Sequence, residues 1–231
     1  MSSRVNCNVF IDFDGTIAPV DTTDLLLERF ADPQWHAIEE EWKRGLIGSR
    51  ECLVRQIDLV RATPAEYDDF ISRIDIDPGF PEFAELCRAS GHRAIVVSDG
   101  LDRTVGSVLR RAGVDLPYFA NRLTWIGEDR WRLSFPHARS DCRSLSGNCK
   151  CQFADAAVGS VRIVVGDGRS DFCVAEQADL VLAKGSLARH CRKGALPHFT
   201  FTRFEEATRL LSSWVEEYAA STSTSDARRD D

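Results

Sequence analysis

Val9-Phe10-Ile11-Asp12-Phe13-Asp14-Gly15-Thr16 is the stretch on which the reading of this chain turns. Three apolar residues stop at a carboxylate, a second carboxylate follows two positions on, and a glycine then lets the chain turn. A short continuous apolar run suits a strand buried on both faces, as in a parallel sheet. Acids at its end then lie on the carboxyl edge of the sheet, where folds of this kind bind ligands. Two carboxylates so close repel each other unless a cation or a proton lies between them. The competing reading is a solvated turn that happens to carry two acids.

The pattern recurs along the chain. Residues 94–97 are apolar and end at Ser98-Asp99-Gly100; residues 161–165 end at Gly166-Asp167-Gly168-Arg169-Ser170-Asp171; residues 180–182 end at Ala183. Helical periodicity over 80–90, 101–112, 150–157, 170–177 and 203–218 separates these runs. The alternation predicts an α/β fold, a doubly wound parallel sheet with helices on both faces. Residues 122–126 and 130–135 flank Gly127-Glu128-Asp129 and predict a hairpin.

Residues 17–79 break the alternation and read as helices. Asp32-Pro33 places a capping acid before a proline at a first helical position, and Thr63-Pro64-Ala65-Glu66 is a capping box. Apolar faces come from Leu25, Leu26, Leu27, Phe30, Trp35, Ile38 and Trp42. The expected organisation is a catalytic core of residues 1–16 and 80–220, a helical-bundle cap of residues 17–79, and a disordered Ser-, Thr-, Arg- and Asp-rich tail over 221–231.

The chain has 231 residues and a net charge of -7, with 43% hydrophobic and 28% charged residues. That composition fits a globular domain. The acidic balance gives no general attraction to nucleic acid or to an anionic membrane, while a local cation can still recruit a small anion. No run of about 18 apolar residues spans a bilayer, and no secretory signal is evident, so a cytoplasmic location is expected. Eight cysteines without such a signal read as free thiols. His137, Cys142, Cys149 and Cys151 cluster in sequence at an unusual spacing for a structural zinc site, with free thiols the preferred reading. Self-association into a homodimer is left open.

Asp12, Asp14, Asp167 and Asp171 would together face one sheet edge, and four converging carboxylates call for a hard divalent cation such as Mg²⁺. Asp171 as a helix cap is the competing reading of the second pair. Ser98-Asp99-Gly100, at a strand end before a helix, would offer a hydroxyl and free N–H groups to a phosphate; taken alone, a plain helix cap explains it as well. Lys150 would balance the carboxylates and the phosphate, where an isolated lysine is usually a surface charge. Asp21 reads as a helix N-cap or as a contact to a leaving group.

Asp-x-Asp-Gly-Thr at 12–16, Ser98, Lys150 and Gly-Asp-Gly-x-x-Asp at 166–171, in that order, resemble the haloacid dehalogenase superfamily of phosphohydrolases. The resemblance covers roughly residues 5–215, and the insert after the first motif looks like the cap of its phosphoserine phosphatase-like branch. Asp77-Pro78-Gly79-Phe80 and the stretch from His137 to Lys150 look closer to the methionine-salvage and phosphocholine/phosphoethanolamine phosphatases of that superfamily. Asp99 stands where those salvage enzymes usually have a glycine, and Cys151 where a proline often follows the lysine. The resemblance implies Asp12 as nucleophile and Asp14 as general acid/base. Mg²⁺ would be held by Asp12, the Asp14 backbone carbonyl and Asp167, with Asp171 nearby. Ser98, the Asp99 N–H and Lys150 would bind the phosphate of a small phosphorylated metabolite. Three other readings fit less well. A dehalogenase needs no acid at Asp14. A phosphomutase would differ in its products. A phospho-acceptor regulatory module would lack both the insert and the Gly-Asp-Gly-x-x-Asp stretch.

Overall fold

The computed structural model describes residues 5–157 and 159–226. Among them, β1 (Cys7–Ile11), β2 (Arg93–Leu101), β3 (Tyr118–Gly127), β4 (Arg130–Ser134), β5 (Val161–Gly166), β6 (Leu180–Ala183) and β7 (His198–Thr200) form one sheet. The order is β4-β3-β2-β1-β5-β6-β7. Every pairing is parallel except that of β4 with β3. β1 is central: the chain first builds outward through β2 and β3, then returns to lay β5 on the other side of β1. That reversal opens a crevice at the carboxyl ends of β1 and β5, the place where ligands settle in open α/β sheets.

The apolar runs alternate between two packed faces. Val9, Ile11, Val96, Val165 and Leu182 belong to one apolar cluster, with Phe83, Val105, Val108 and Phe204. Those partners come from α5 (Phe80–Ala89), α6 (Asp102–Arg111) and α10 (Phe204–Asp226). Phe10, Ile95, Val97, Val164 and Val181 belong to the other, with Ala154, Val174 and Leu187. These come from α7 (Cys151–Asp155), α8 (Phe172–Ala175) and α9 (Gly185–Lys193). Both faces are covered, which is why the strands read as continuous apolar runs; each fully buried Val, Leu or Ile contributes about 1.5–3 kcal/mol.

Between β1 and α5 the chain forms α1 (Thr22–Phe30), α2 (Trp35–Lys43), α3 (Ser49–Ile57) and α4 (Pro64–Ile71). Asp21 caps α1, accepting from the N–H groups of Thr23 and Asp24 at 2.9 and 3.0 Å. The capping box of Thr63 and Glu66 starts α4. These helices share the first apolar cluster through Leu26, Leu27, Ile57 and Tyr67. The Tyr67 hydroxyl bonds Thr104 of α6 at 2.7 Å, and its ring lies 5.0 Å from that of Trp131. Trp131 in turn donates to the Ala62 carbonyl at 2.8 Å.

Departures from the sequence reading have physical causes: at Asp32-Pro33 the Asp32 carboxylate accepts from the Gln34 N–H at 2.9 Å in a turn, and α2 begins only at Trp35. β2 runs on to Leu101, with a register shift against β3 between Val97 and Leu101, so Ser98-Asp99-Gly100 lies in an irregular strand end rather than at a helix N-terminus, and neither Ser98 nor Asp99 caps α6. β7 and α9 were not read: β7 is three residues long, and α9 is a basic helix that begins on a glycine at φ +47°. α10 continues to Asp226, six residues into the segment expected to be disordered; residues 227–231 lie outside the described residues.

Candidate active site

Asp12 is the first residue beyond β1, and its N–H donates to the Val165 carbonyl at 2.8 Å. The turn after β5 brings Asp167 and Asp171 to the same edge. One carboxylate oxygen from each of Asp12, Asp167 and Asp171 lies within 4.8 Å of the others. Lys150, at the start of α7 and buried, reaches into the group: its Nζ is 2.8 Å from Asp12 Oδ1, 2.6 Å from Asp171 Oδ1 and 3.1 Å from Ser170 Oγ. Asp171 Oδ2 accepts from the N–H groups of Asp167 and Gly168, both at 3.2 Å.

One ammonium faces three acids in a largely buried setting, and the imbalance shifts Asp12, Asp167 and Lys150. Burial, followed by the charge of Asp171, lifts Asp12 well above the ordinary carboxylate range. The same two causes push Asp167 up to about 6. Burial alone would lower Lys150, but Asp12 and Asp171 reverse this and hold it above its usual value. A buried cluster with surplus negative charge and all-oxygen donors fits a hard divalent cation. The backbone leaves room for it: Gly15 has φ +72°, and a Cβ there would strike the Asp167 carboxylate. Thr16 steadies that carboxylate, donating from Oγ1 at 3.3 Å.

Asp14 points elsewhere. Its Oδ1 accepts from the Thr22 N–H at 2.8 Å and from the Thr22 hydroxyl at 2.6 Å. Its Oδ2 lies against Gly100, where a Cβ would collide with it. Burial first, then Asp21, raises it to about 7. Its carboxylate is therefore outside the three-acid group and sits as a protonatable group at the join of β1 and α1.

Ser98 is fully buried, and its Oγ accepts from the Gly100 N–H at 2.9 Å, leaving its own proton free to donate. The Asp99 carboxylate accepts from Asn148 N–H at 2.8 Å and from Asn121 Nδ2 at 3.1 Å. Thr22, Asn121 and Asn148 lie outside the sequence motifs, and Thr16 and Ser170 stand within them without an assigned role. Thr16 and Thr22 flank the first acid pair and Ser170 lies inside the second turn, so proximity to the motifs was the available signal; Asn121 and Asn148 carry none. His137, Cys142, Cys149 and Cys151 do not gather into a ligand set among the described residues. The His137 ring instead packs 5.2 Å from Phe119, and all eight cysteines are free thiols.

A cleft of about 1020 Å³ is lined by Asp12, Asp14 and Asp167 together with Trp42 of α2 and Leu53 and Gln56 of α3. Arg169 and Trp42 both line it, and the Arg169 guanidinium lies 5.4 Å from the Trp42 ring centre. No described helix is long and apolar enough to cross a membrane.

The sequence model of the haloacid dehalogenase-like hydrolases matches residues 9–176, and the chain belongs to that family. Within it the chain is a phosphatase, a phosphoric monoester hydrolase. Two relatives are both named 2-hydroxy-3-keto-5-methylthiopentenyl-1-phosphate phosphatase. The one from Brevibacillus brevis is 31% identical over 216 residues, covering 90% of this chain and 96% of that protein. The one from Exiguobacterium sp. is 33% identical, covering 91% and 98%. Among solved structures, a phosphoserine phosphatase described as a phospho-aspartyl intermediate analogue aligns with a TM-score of 0.66 at 21% identity, over 89% of this chain and 97% of that one. It has the same fold. Phosphatases of this family generally use Mg²⁺, and the Asp12, Asp167 and Asp171 group supplies suitable ligands.

Proposed function

We propose that this phosphatase hydrolyses a small-molecule phosphate monoester in a Mg²⁺-dependent reaction that passes through an aspartyl-phosphate on Asp12. The metabolites handled by its methionine-salvage-named relatives are the model for its substrate. The observation that carries the reading is the buried contact of Lys150 with Asp12 and Asp171, beside Asp167, at the carboxyl ends of β1 and β5. Residues 1–16 and 80–220 act as the catalytic core, and residues 17–79 as a cap that closes over it and excludes bulk water.

Asp12, Asp167 and the Asp14 backbone carbonyl would hold Mg²⁺, with Asp171 beside them; when bound, the ion neutralises charge on the phosphoryl oxygens. The phosphate is held by the Ser98 hydroxyl, the Asp99 N–H and Lys150, which exchanges its longest contact, that to Ser170, for a phosphate oxygen. Asp12 attacks phosphorus in line and takes the phosphoryl group, breaking the ester bond. Asp14, which burial keeps protonated to about pH 7, delivers its proton to the departing alkoxide. As a carboxylate it then takes a proton from the water that attacks the phosphorylated Asp12, releasing inorganic phosphate and restoring both aspartates.

Phosphate release from a panel of small phosphoesters is the test. Exhaustive chelation should abolish it and added Mg²⁺ restore it, while Asp12→Asn should lower turnover by at least about 10³-fold with the fold intact by circular dichroism. Full activity of either the metal-free protein or the variant refutes the proposal.

A further inference from the structure

We infer that the Asp99 side chain is a positioning residue for Lys150, holding the segment that delivers the ammonium between Asp12 and Asp171. The inference rests on the proposed role of Lys150 at the phosphate. Between β4 and α7 the chain runs from residue 135 to residue 150 with no helix or strand. A segment with no ladder must be fixed by individual bonds. Next to Lys150 the Cys149 N–H donates to the His137 carbonyl at 3.1 Å, and Gln152 Nε2 donates to the carbonyls of His137 and Cys149 at 2.6 and 2.9 Å; the bonds that tie the segment to the sheet go to β2 and β3 through Asn148. The Asn148 N–H donates to Asp99 Oδ1 at 2.8 Å, and the Asn148 amide donates to the carbonyls of Ser98 and Phe119 at 3.0 and 2.7 Å. Asn121 Nδ2 also holds Asp99, donating to its carbonyl at 2.5 Å and to the same Oδ1 at 3.1 Å.

Asn121 and Asn148 are both buried, and their amide oxygens have no partner among the described residues. An unpaired buried oxygen is costly, so what these amides contribute is their N–H groups, and Asp99 and its neighbouring carbonyls are the acceptors. Gly147 permits the approach, since a Cβ there would meet Asn121 Oδ1 at 2.6 Å and the Phe135 ring. Asn148 is two residues from Lys150, so the clamp lies within about 7 Å of chain from the lysine backbone. Contacts of 2.6 and 2.8 Å at the ammonium tolerate little drift, because hydrogen bonds weaken steeply with misplacement. A carboxylate is well suited to the clamp, since N–H bonds to an ionised acceptor are shorter and stronger than neutral ones.

Asp99 also lines the cleft, and a direct contact to the leaving group is the rival role. A double-mutant cycle separates the two. Asp99→Ala should lower kcat/KM by about 10–100-fold, the range for residues that orient a reacting group. The loss should be the same for an alkyl phosphate and for para-nitrophenyl phosphate. Asp99→Asn, which keeps an oxygen for the Asn148 N–H, should recover most of it. In a Lys150→Met background the same Asp99→Ala change should cost less than about twofold, read from turnover or from calorimetric binding of inorganic phosphate to the Mg²⁺-loaded protein. Equal losses in both backgrounds, a loss that depends on the leaving group, or no loss in Asp99→Ala overturns the inference. If the alanine variant fails to fold, Asp99→Ser, whose hydroxyl is too short to hold the Asn148 N–H, is carried through the same cycle with the same expected and refuting outcomes. An inactive parent chain would instead retract the proposed function, so the two failures are distinct.

Discussion

Asp14 and Asp12 are two residues apart and live in different surroundings. Asp12 faces Lys150 and two further acids, while Asp14 faces Thr22 and Gly100. Environments that push two carboxylates apart are the usual basis for dividing nucleophile from acid. The raised value of Asp14 has a consequence for stability. An unfolded aspartate ionises near pH 4, whereas burial, helped by Asp21, keeps folded Asp14 protonated to about 7. Across that window the folded state binds the extra proton, so this group's contribution to stability is full below pH 4 and is lost as the pH rises to 7. Asn cannot ionise. In metal-free protein Asp14→Asn should therefore melt above the parent at pH 8, by an amount worth at most a few kcal/mol, with the gap closing toward pH 4. A constant gap across that range in thermal melts contradicts the assignment.

At the scale of elements, the insert is seated on the core through α4. Tyr67 is fully buried, with its hydroxyl on Thr104 and its ring between Phe70 and Trp131. Tyr67→Ala should destabilise the protein by about 3–5 kcal/mol in urea unfolding, the range for a large aromatic lost from a core. Tyr67→Phe should cost about 1–3 kcal/mol, because Thr104 loses its partner in a buried place. Equal midpoints for Phe and parent would mean that the hydroxyl pair adds nothing. Some of this was legible beforehand: the helical nature of 17–79 and the capping box at Thr63 follow from local pattern. The seating was not, because Tyr67, Thr104 and Trp131 are far apart in the chain and their pairing depends on how α4, α6 and β4 pack.

For the whole molecule, the acids line a cleft of about 1020 Å³ that residues of α2 and α3 also line, with Arg169 lying against Trp42. A site of this size suits a small ligand. If the proposed cap of residues 17–79 closes over the acids, phosphate release should be fast on small phosphoesters and at least about 10²-fold slower on folded phosphoproteins. Rapid dephosphorylation of phosphoproteins, with metabolites poor, would show that the cap does not close over them.

Local pattern alone located β1, β2, β5, β6 and the β3–β4 hairpin, and named the acids and the lysine that the sheet edge collects, but not the strand order that makes β1 central. Apolar runs that stop at Asp12, at Ser98 and at Gly166 are local signals, and a strand buried on both faces leaves few other ways to be built. Lys150 was found as a residue, but its contacts were not, since 21 residues of chain separate it from Asp171. Packing between distant segments instead sets three features: Asp14 turns toward Thr22, β2 continues through Ser98-Asp99-Gly100, and the Asp99 carboxylate serves Asn148. The physical reason is common to all three. A side chain's direction at an irregular strand end is set by which buried donors reach it, and those donors come from segments that only the folded chain brings together.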